Sequence, residues 1–141
     1  MYYENKREQL LMNATPGVGS VVLHAQPNGK EMQAIYWLFD NLGGEIIFLV
    51  EENIAGQKNP DLSWNGGLLD IKHTNGSLDT LGKRIQIALR QSGRNGALID
   101  ISGALFADQS AIEIAVSRIS RVGGSYVMLI RDNRLVAYIS K

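Results

Sequence analysis

The sequence predicts an α/β fold, a mixed β-sheet flanked by helices, and three observations predict it. Two short apolar runs, residues 45–51 (Glu-Ile-Ile-Phe-Leu-Val-Glu) and 97–101 (Ala-Leu-Ile-Asp-Ile), are rich in β-branched residues, the pattern of strands buried on both faces. Apolar residues recur at helical spacing over 30–42, 78–91 and 111–122. Asn65-Gly66 lies between two short segments and signals a tight antiparallel hairpin, because a type I′ turn needs positive φ at both central residues. Strands mixed with helices in this way give a mixed sheet in the order α-β-α-β-ββ-α-β-α-β-β.

Residues 2–12 are charged and then apolar (Leu10, Leu11, Met12) and read as a short helix, stopped by Asn13-Ala14-Thr15-Pro16-Gly17. Residues 20–25 read as a strand and Gln26-Pro27-Asn28-Gly29 as a turn. In the helix over 30–42, Ile35, Leu38, Phe39 and Leu42 point inward, and Gly43-Gly44 ends it. Glu31 projects from that apolar face in the first turn, where the helix dipole favours an acid and burial demands a partner. The strand over 45–51 leads through a polar loop, 52–58, into the hairpin, whose second strand is broken by Thr74-Asn75-Gly76-Ser77. The helix over 78–91 buries Leu78, Leu81, Ile85, Ala88 and Leu89. Its Lys83, Arg84, Gln86, Arg90 and Gln91 cover the other faces, either as a solvated surface or as phosphate contacts. Arg94-Asn95-Gly96 turns the chain into the strand over 97–101, with Asp100 at its polar end. Asp108 or Ser110 caps the helix over 111–122, and Gly123-Gly124 ends it. Two strands, 126–130 and 135–139, close the chain as a hairpin or a return strand.

A length of 141 residues suits one domain, 1–141, large enough to bury a core. Net charge is zero, but residues 1–70 carry 4 Lys and Arg against 9 Asp and Glu, and residues 71–141 carry 10 against 5. An acidic cluster beside a basic half suits a metal site next to a phosphate-binding surface. The zero total argues against a tight general DNA binder, whose affinity rests on phosphate neutralisation. With no cysteine there is neither a disulfide framework nor a thiolate metal site. No apolar run approaches the roughly 18 residues of a membrane span, and the acidic-polar start is not that of a signal peptide.

The hairpin carries the chemistry. With Asn65-Gly66 as the turn, Trp64 faces Gly67, Ser63 faces Leu68, Leu62 faces Leu69 and Asp61 faces Asp70. Side chains alternate along a strand, so Lys72 shares the face of Asp70, while Leu62, Leu69 and Ile71 take the other. Two carboxylates directly across a ladder repel each other, and a hard divalent cation relieves that repulsion. An ammonium two residues along can stabilise developing negative charge, the arrangement needed for metal-assisted phosphodiester hydrolysis. A plain solvated edge with a Lys72–Asp70 contact is the simpler alternative, Pro-Asp being a common turn dipeptide.

A helix bearing an inward Glu31, the strand over 45–51, Pro60-Asp61, Asp70-Ile71-Lys72, the helix over 78–91 and the strand over 97–101 together resemble the core of the PD-(D/E)XK, restriction-endonuclease-like nucleases. Within that superfamily, Asn-Pro-Asp-Leu-x-x-Asn-Gly-x-x-x-Asp-Ile-Lys, followed by Ile-x-x-Ala-Leu-Arg-Gln and Leu-Ile-Asp-Ile, resembles the C-terminal tRNase domain of CdiA-type contact-dependent inhibition toxins over residues 30–102. The resemblance implies that Asp61 and Asp70 hold a divalent metal, Mg²⁺ or Mn²⁺ with Zn²⁺ as a further candidate. Glu31 would add a carboxylate or orient a water, and Lys72 would assist the nucleophile or the transition state. Lys83, Arg84, Arg90 and Gln91 would contact nucleic acid, with tRNA as the expected substrate and a cognate immunity protein as the expected partner. It further implies action in a target-cell cytoplasm, as part of a larger secreted or cell-surface protein. Two features depart from the pattern: Asp61 and Asp70 are close together in sequence, and Glu45, Glu51 or Glu52 could stand in for Glu31.

Two other readings stay open. A metal-independent, barnase-like ribonuclease would need a histidine as acid or base, and His24 and His73 are the candidates; His73 points away from Asp61 and Asp70. A non-enzymatic binding or immunity module would use the acidic hairpin to dock a basic partner.

Overall fold

The computed structural model describes residues 2–50 and 60–141. In chain order the elements are β1 (Glu4–Asn5), α1 (Arg7–Asn13), β2 (Gly19–Leu23), α2 (Gly29–Asn41), β3 (Gly44–Phe48), β4 (Leu62–Trp64), β5 (Gly67–His73), α3 (Leu78–Gln91), β6 (Gly96–Asp100), α4 (Asp108–Val122), β7 (Tyr126–Arg131) and β8 (Arg134–Ser140). The strands form one mixed sheet ordered β1-β8-β7-β6-β5-β4-β3-β2. β5, β6 and β7 run parallel, as do β2 and β3, while β4 and β8 are antiparallel to both their neighbours. This is the α/β class that the sequence predicts.

The continuous apolar character of the central strands follows from burial on both faces. On one face Leu81, Ile85, Ala88 and Leu89 of α3 pack with Ala111, Ala115 and Ile119 of α4 over Ala97, Ile99, Val127 and Leu129. On the other, Ile35, Trp37 and Leu38 of α2 cover Ile46, Leu62, Leu69, Leu98 and Met128, and Leu10 of α1 joins them. The result is three layers, with the sheet in the middle. Alternation along β5 assigns its side chains. Leu69 and Ile71 face α2, and Asp70 and Lys72, whose partners on β6 are Ala97 and Ile99, face α3.

Two local features differ from expectation, one open alternative is settled, and one segment lies outside the described residues. The segment over 2–12 is not one helix: Glu4 and Asn5 pair with Ser140 and Ile139 before α1 begins. A two-residue strand carries no periodicity to read. α4 starts at Asp108 with Ala107 as N-cap and no side-chain cap, because the Asp108 carboxylate turns to Arg131 (3.4 Å) and Arg134 (3.2 Å). The final strands form a hairpin whose turn residues, Asp132 (φ 51) and Asn133 (φ 62), both take the left-handed conformation of a type I′ turn. The loop expected at 52–58, the end of the strand expected at 45–51, and Asn59 lie outside the described residues.

Candidate active site

The hairpin forms in the register set by its turn. Leu62 pairs with Leu69, Ser63 with Leu68 and Trp64 with Gly67, around Asn65 (φ 50) and Gly66 (φ 85). Asn65 also ties the turn to β3, its Oδ1 accepting the Glu45 N–H at 2.8 Å. One residue beyond Leu62 the ladder changes character. Pro60 has no N–H to give to β5, so the strands cannot continue as a regular pair. Where the ladder ends, the Asp61 carboxylate takes the place of a backbone acceptor, its Oδ2 accepting the Ile71 N–H at 2.7 Å. The Asp61 carbonyl accepts the Leu49 N–H at 3.0 Å, which holds this residue to β3 as well. Asp61 is thereby fixed from both sides and placed beside Asp70.

Asp70 is 1% exposed and is the one buried acid among the described residues. Its Oδ2 is buried without a hydrogen-bond partner. Lys72 Nζ lies 3.2 Å from that oxygen, at ion-pair distance but out of hydrogen-bond alignment. Burial chiefly, and the Asp61 charge next, push the Asp70 carboxyl up from its ordinary value of 3.8 to about 8; the Lys72 ammonium pulls it back in part. A carboxylate held at such a cost has two remedies, a proton or a cation.

The donor set fits a hard divalent cation. Two carboxylates offer oxygen only, and one presents a buried oxygen with nothing bonded to it. Mg²⁺ or Mn²⁺ suits one or two carboxylates with water and substrate oxygens completing the sphere. Zn²⁺ suits the site less, since it favours nitrogen and sulfur donors and His73 lies on the other face of β5. Among the described residues no third acidic or histidine side chain joins the pair.

Glu31 is not brought to the pair. It is the third residue of a capping box: Glu31 Oε1 accepts the Asn28 N–H and Asn28 Oδ1 accepts the Glu31 N–H, each at 2.8 Å. The Asn-x-x-Glu spacing at 28–31 carries that signal in the sequence. Glu45 is exposed on β3, and Glu51 and Glu52 lie outside the described residues. Of the expected phosphate contacts, Arg84 stands beside Lys72 in the wall of a groove. Lys83 is engaged with Asp79 at 3.2 Å, Arg90 is exposed, and Gln91 keeps a buried Oε1 without a partner. His24 is exposed just past β2, and His73 Nδ1 lies 3.7 Å from Asp100 Oδ2.

The groove measures about 900 Å³ and runs over the carboxyl ends of β5, β6 and β7, with α2 as its opposite wall. Lys72 belongs both to this wall and to the carboxylate pair. Nothing in the sequence pattern announces the groove, because its α2 wall meets lining residues of β5, α3, β6 and β7 that lie far away along the chain.

The sequence matches no protein-family model and no curated protein. The fold, however, recurs in a chain from a solved structure described as a CdiA-CT/CdiI toxin and immunity complex from Burkholderia pseudomallei. The two chains superpose with a TM-score of 0.58 at 18% identity, over 87% of this chain and 98% of that one, so what they share is the fold.

Proposed function

We propose that this protein is a metal-dependent endonuclease, a toxin domain that hydrolyses phosphodiester bonds in RNA, tRNA first, and is neutralised by an immunity protein. One observation carries the reading: the buried Asp70 carboxylate, with an unpartnered oxygen, beside Asp61 and Lys72. The shared fold with a chain of a toxin and immunity complex supports the toxin context. Asp61 and Asp70 hold the divalent cation, which when bound supplies a polarised phosphoryl oxygen and a water acidic enough to attack phosphorus. The Ile71 N–H orients the Asp61 carboxylate, leaving its second oxygen for binding. Lys72 places a positive charge where the phosphorane oxygens gather negative charge. Packing of α3 over β5 keeps water away from Asp70 and strengthens these interactions.

The test is incubation of total tRNA with the protein in Mg²⁺, Mn²⁺, Zn²⁺ and EDTA, beside Asp70→Ala. Metal-dependent cleavage that disappears in the variant is the expected result. Cleavage that survives EDTA overturns the site and moves the chemistry to His73 or His24. A second reading, an immunity-type binding module, draws on the same neighbour, whose complex contains both kinds of chain. It predicts no cleavage under any condition and a complex weakened by Asp61→Ala.

A further inference from the structure

We propose that the groove between α2 and the carboxyl ends of β5, β6 and β7 binds one unpaired nucleotide next to the scissile phosphate, and that it prefers bases bearing an amino group over uracil. The scissile phosphate rests on the nuclease reading, but the binding site stands on its own geometry. The location is the one where open α/β sheets bind ligands, outside the carboxyl ends of parallel strands. A volume of about 900 Å³ accommodates a nucleotide with its flanking phosphate.

The lining is arranged for such a ligand. Ile71 and Ile130 offer an apolar floor from two strands. Tyr36 stands on the α2 wall with 57% of its surface exposed, unlike its neighbour Trp37, which is buried with Nε1 donating to the Asn133 carbonyl at 3.0 Å. An exposed aromatic at the mouth of a groove is a stacking platform, and every base has a face to offer it. Asp40, one helical turn past Tyr36, lines the same wall and has no hydrogen-bond or ion-pair partner among the described residues. Its carboxylate accepts from the exocyclic amines of adenine, guanine or cytosine, whereas uracil offers only its N3–H, flanked on both sides by carbonyls that a carboxylate repels. Lys72 and Arg84 supply two cations for phosphate at the end nearest Asp70. A base paired in a duplex cannot present its edge to Asp40 while stacking on Tyr36, so the occupant is unpaired.

The experiment is a titration of the isotopically labelled full chain, in EDTA, with AMP, GMP, CMP and UMP, followed by amide chemical shifts. Saturable shifts at Tyr36, His73 and Asn133 are expected, with UMP binding about tenfold more weakly, the value of one hydrogen bond to a charged group. Tyr36→Ala should weaken binding by about tenfold and raise KM for RNA by a similar factor with kcat little changed, and Tyr36→Phe should restore both. Shifts confined to surfaces outside the groove, or an unchanged KM in Tyr36→Ala, overturn the proposal. If the monophosphates bind here and no nucleic acid is cut, the groove stands and the nuclease reading falls. If RNA is cut and no monophosphate binds, the reverse holds.

Discussion

Asp70 and Asp100 sit on neighbouring parallel strands, and the chain treats them in opposite ways. Asp100 closes β6, where Ser102 donates to its Oδ1 from both N (2.9 Å) and Oγ (2.6 Å), and His73 faces its other oxygen. Asp70 lies in the middle of β5, is more deeply buried, and has an oxygen with no hydrogen-bond partner, faced only by the Lys72 ammonium at ion-pair distance. A carboxylate served by its own chain does structural work. One left short of partners in a dry site, beside a second acid, destabilises the fold unless something else comes to it. The contrast separates a residue kept for stability from one kept for chemistry.

That contrast is sharpest in turnover. Asp70→Ala is expected to lower metal-dependent tRNA cleavage by about a thousandfold or more, the scale on which preorganised electrostatic groups act. Asp100→Ala should stay within about tenfold of wild type while losing about 1–3 kcal/mol of stability, measured by urea unfolding. Equal losses of turnover in the two variants would mean that Asp70 has no chemical role that Asp100 lacks. Metal binding gives the next largest effect. Mn²⁺ at a hundredfold excess over its Kd should raise the melting temperature by about 8 °C in wild type and Asp100→Ala, and leave Asp70→Asn unmoved.

Stability against pH sharpens it further. The folded Asp70 carboxyl titrates near 8 and the unfolded one near 3.8. Between those values the folded state holds a proton that the unfolded state has released, so stability without metal falls as pH rises through that window. Above about 8 the loss is complete. Urea midpoints in EDTA, wild type minus Asp70→Asn, should decline from pH 4 to pH 8 by an amount worth a few kcal/mol and then level off. A flat difference would remove the burial account of Asp70. The smallest effect concerns Glu31. Glu31→Ala should cost about 1 kcal/mol through the lost capping box, Glu31→Gln much less, and both should cleave within about threefold of wild type.

The hairpin was legible because its turn and its alternation specify one register. Asn65-Gly66 fixes which residues face each other, and period two then puts Lys72 over Asp70. Hidden from that pattern was that the Asp61 side chain, rather than a backbone carbonyl, takes the Ile71 N–H where the ladder ends. The burial of Asp70 was hidden too, since it depends on α3 crossing β5, a tertiary event. Helical spacing puts Glu31 in line with Ile35 and Leu38, but rotamer choice decides whether a carboxylate looks into a site or back to its own N-cap, and here it caps. The groove escaped because Tyr36, Lys72 and Asn133 meet only once the sheet is assembled.

The pairing of β1 with β8 has a consequence for how the protein reaches this state. Glu4 meets Ser140 and Asn5 meets Ile139, so the outermost ladder joins segments from the two ends of the sequence. The Lys6 N–H also donates to the Tyr138 carbonyl at 2.7 Å. Contacts of such separation bear the full entropy of closing the loop before they return anything. The parallel core of β5, β6 and β7 can therefore gather first, and the edge zips last. Refolding should show its slowest step at that edge, followed by amide hydrogen exchange at Glu4, Asn5 and Ile139.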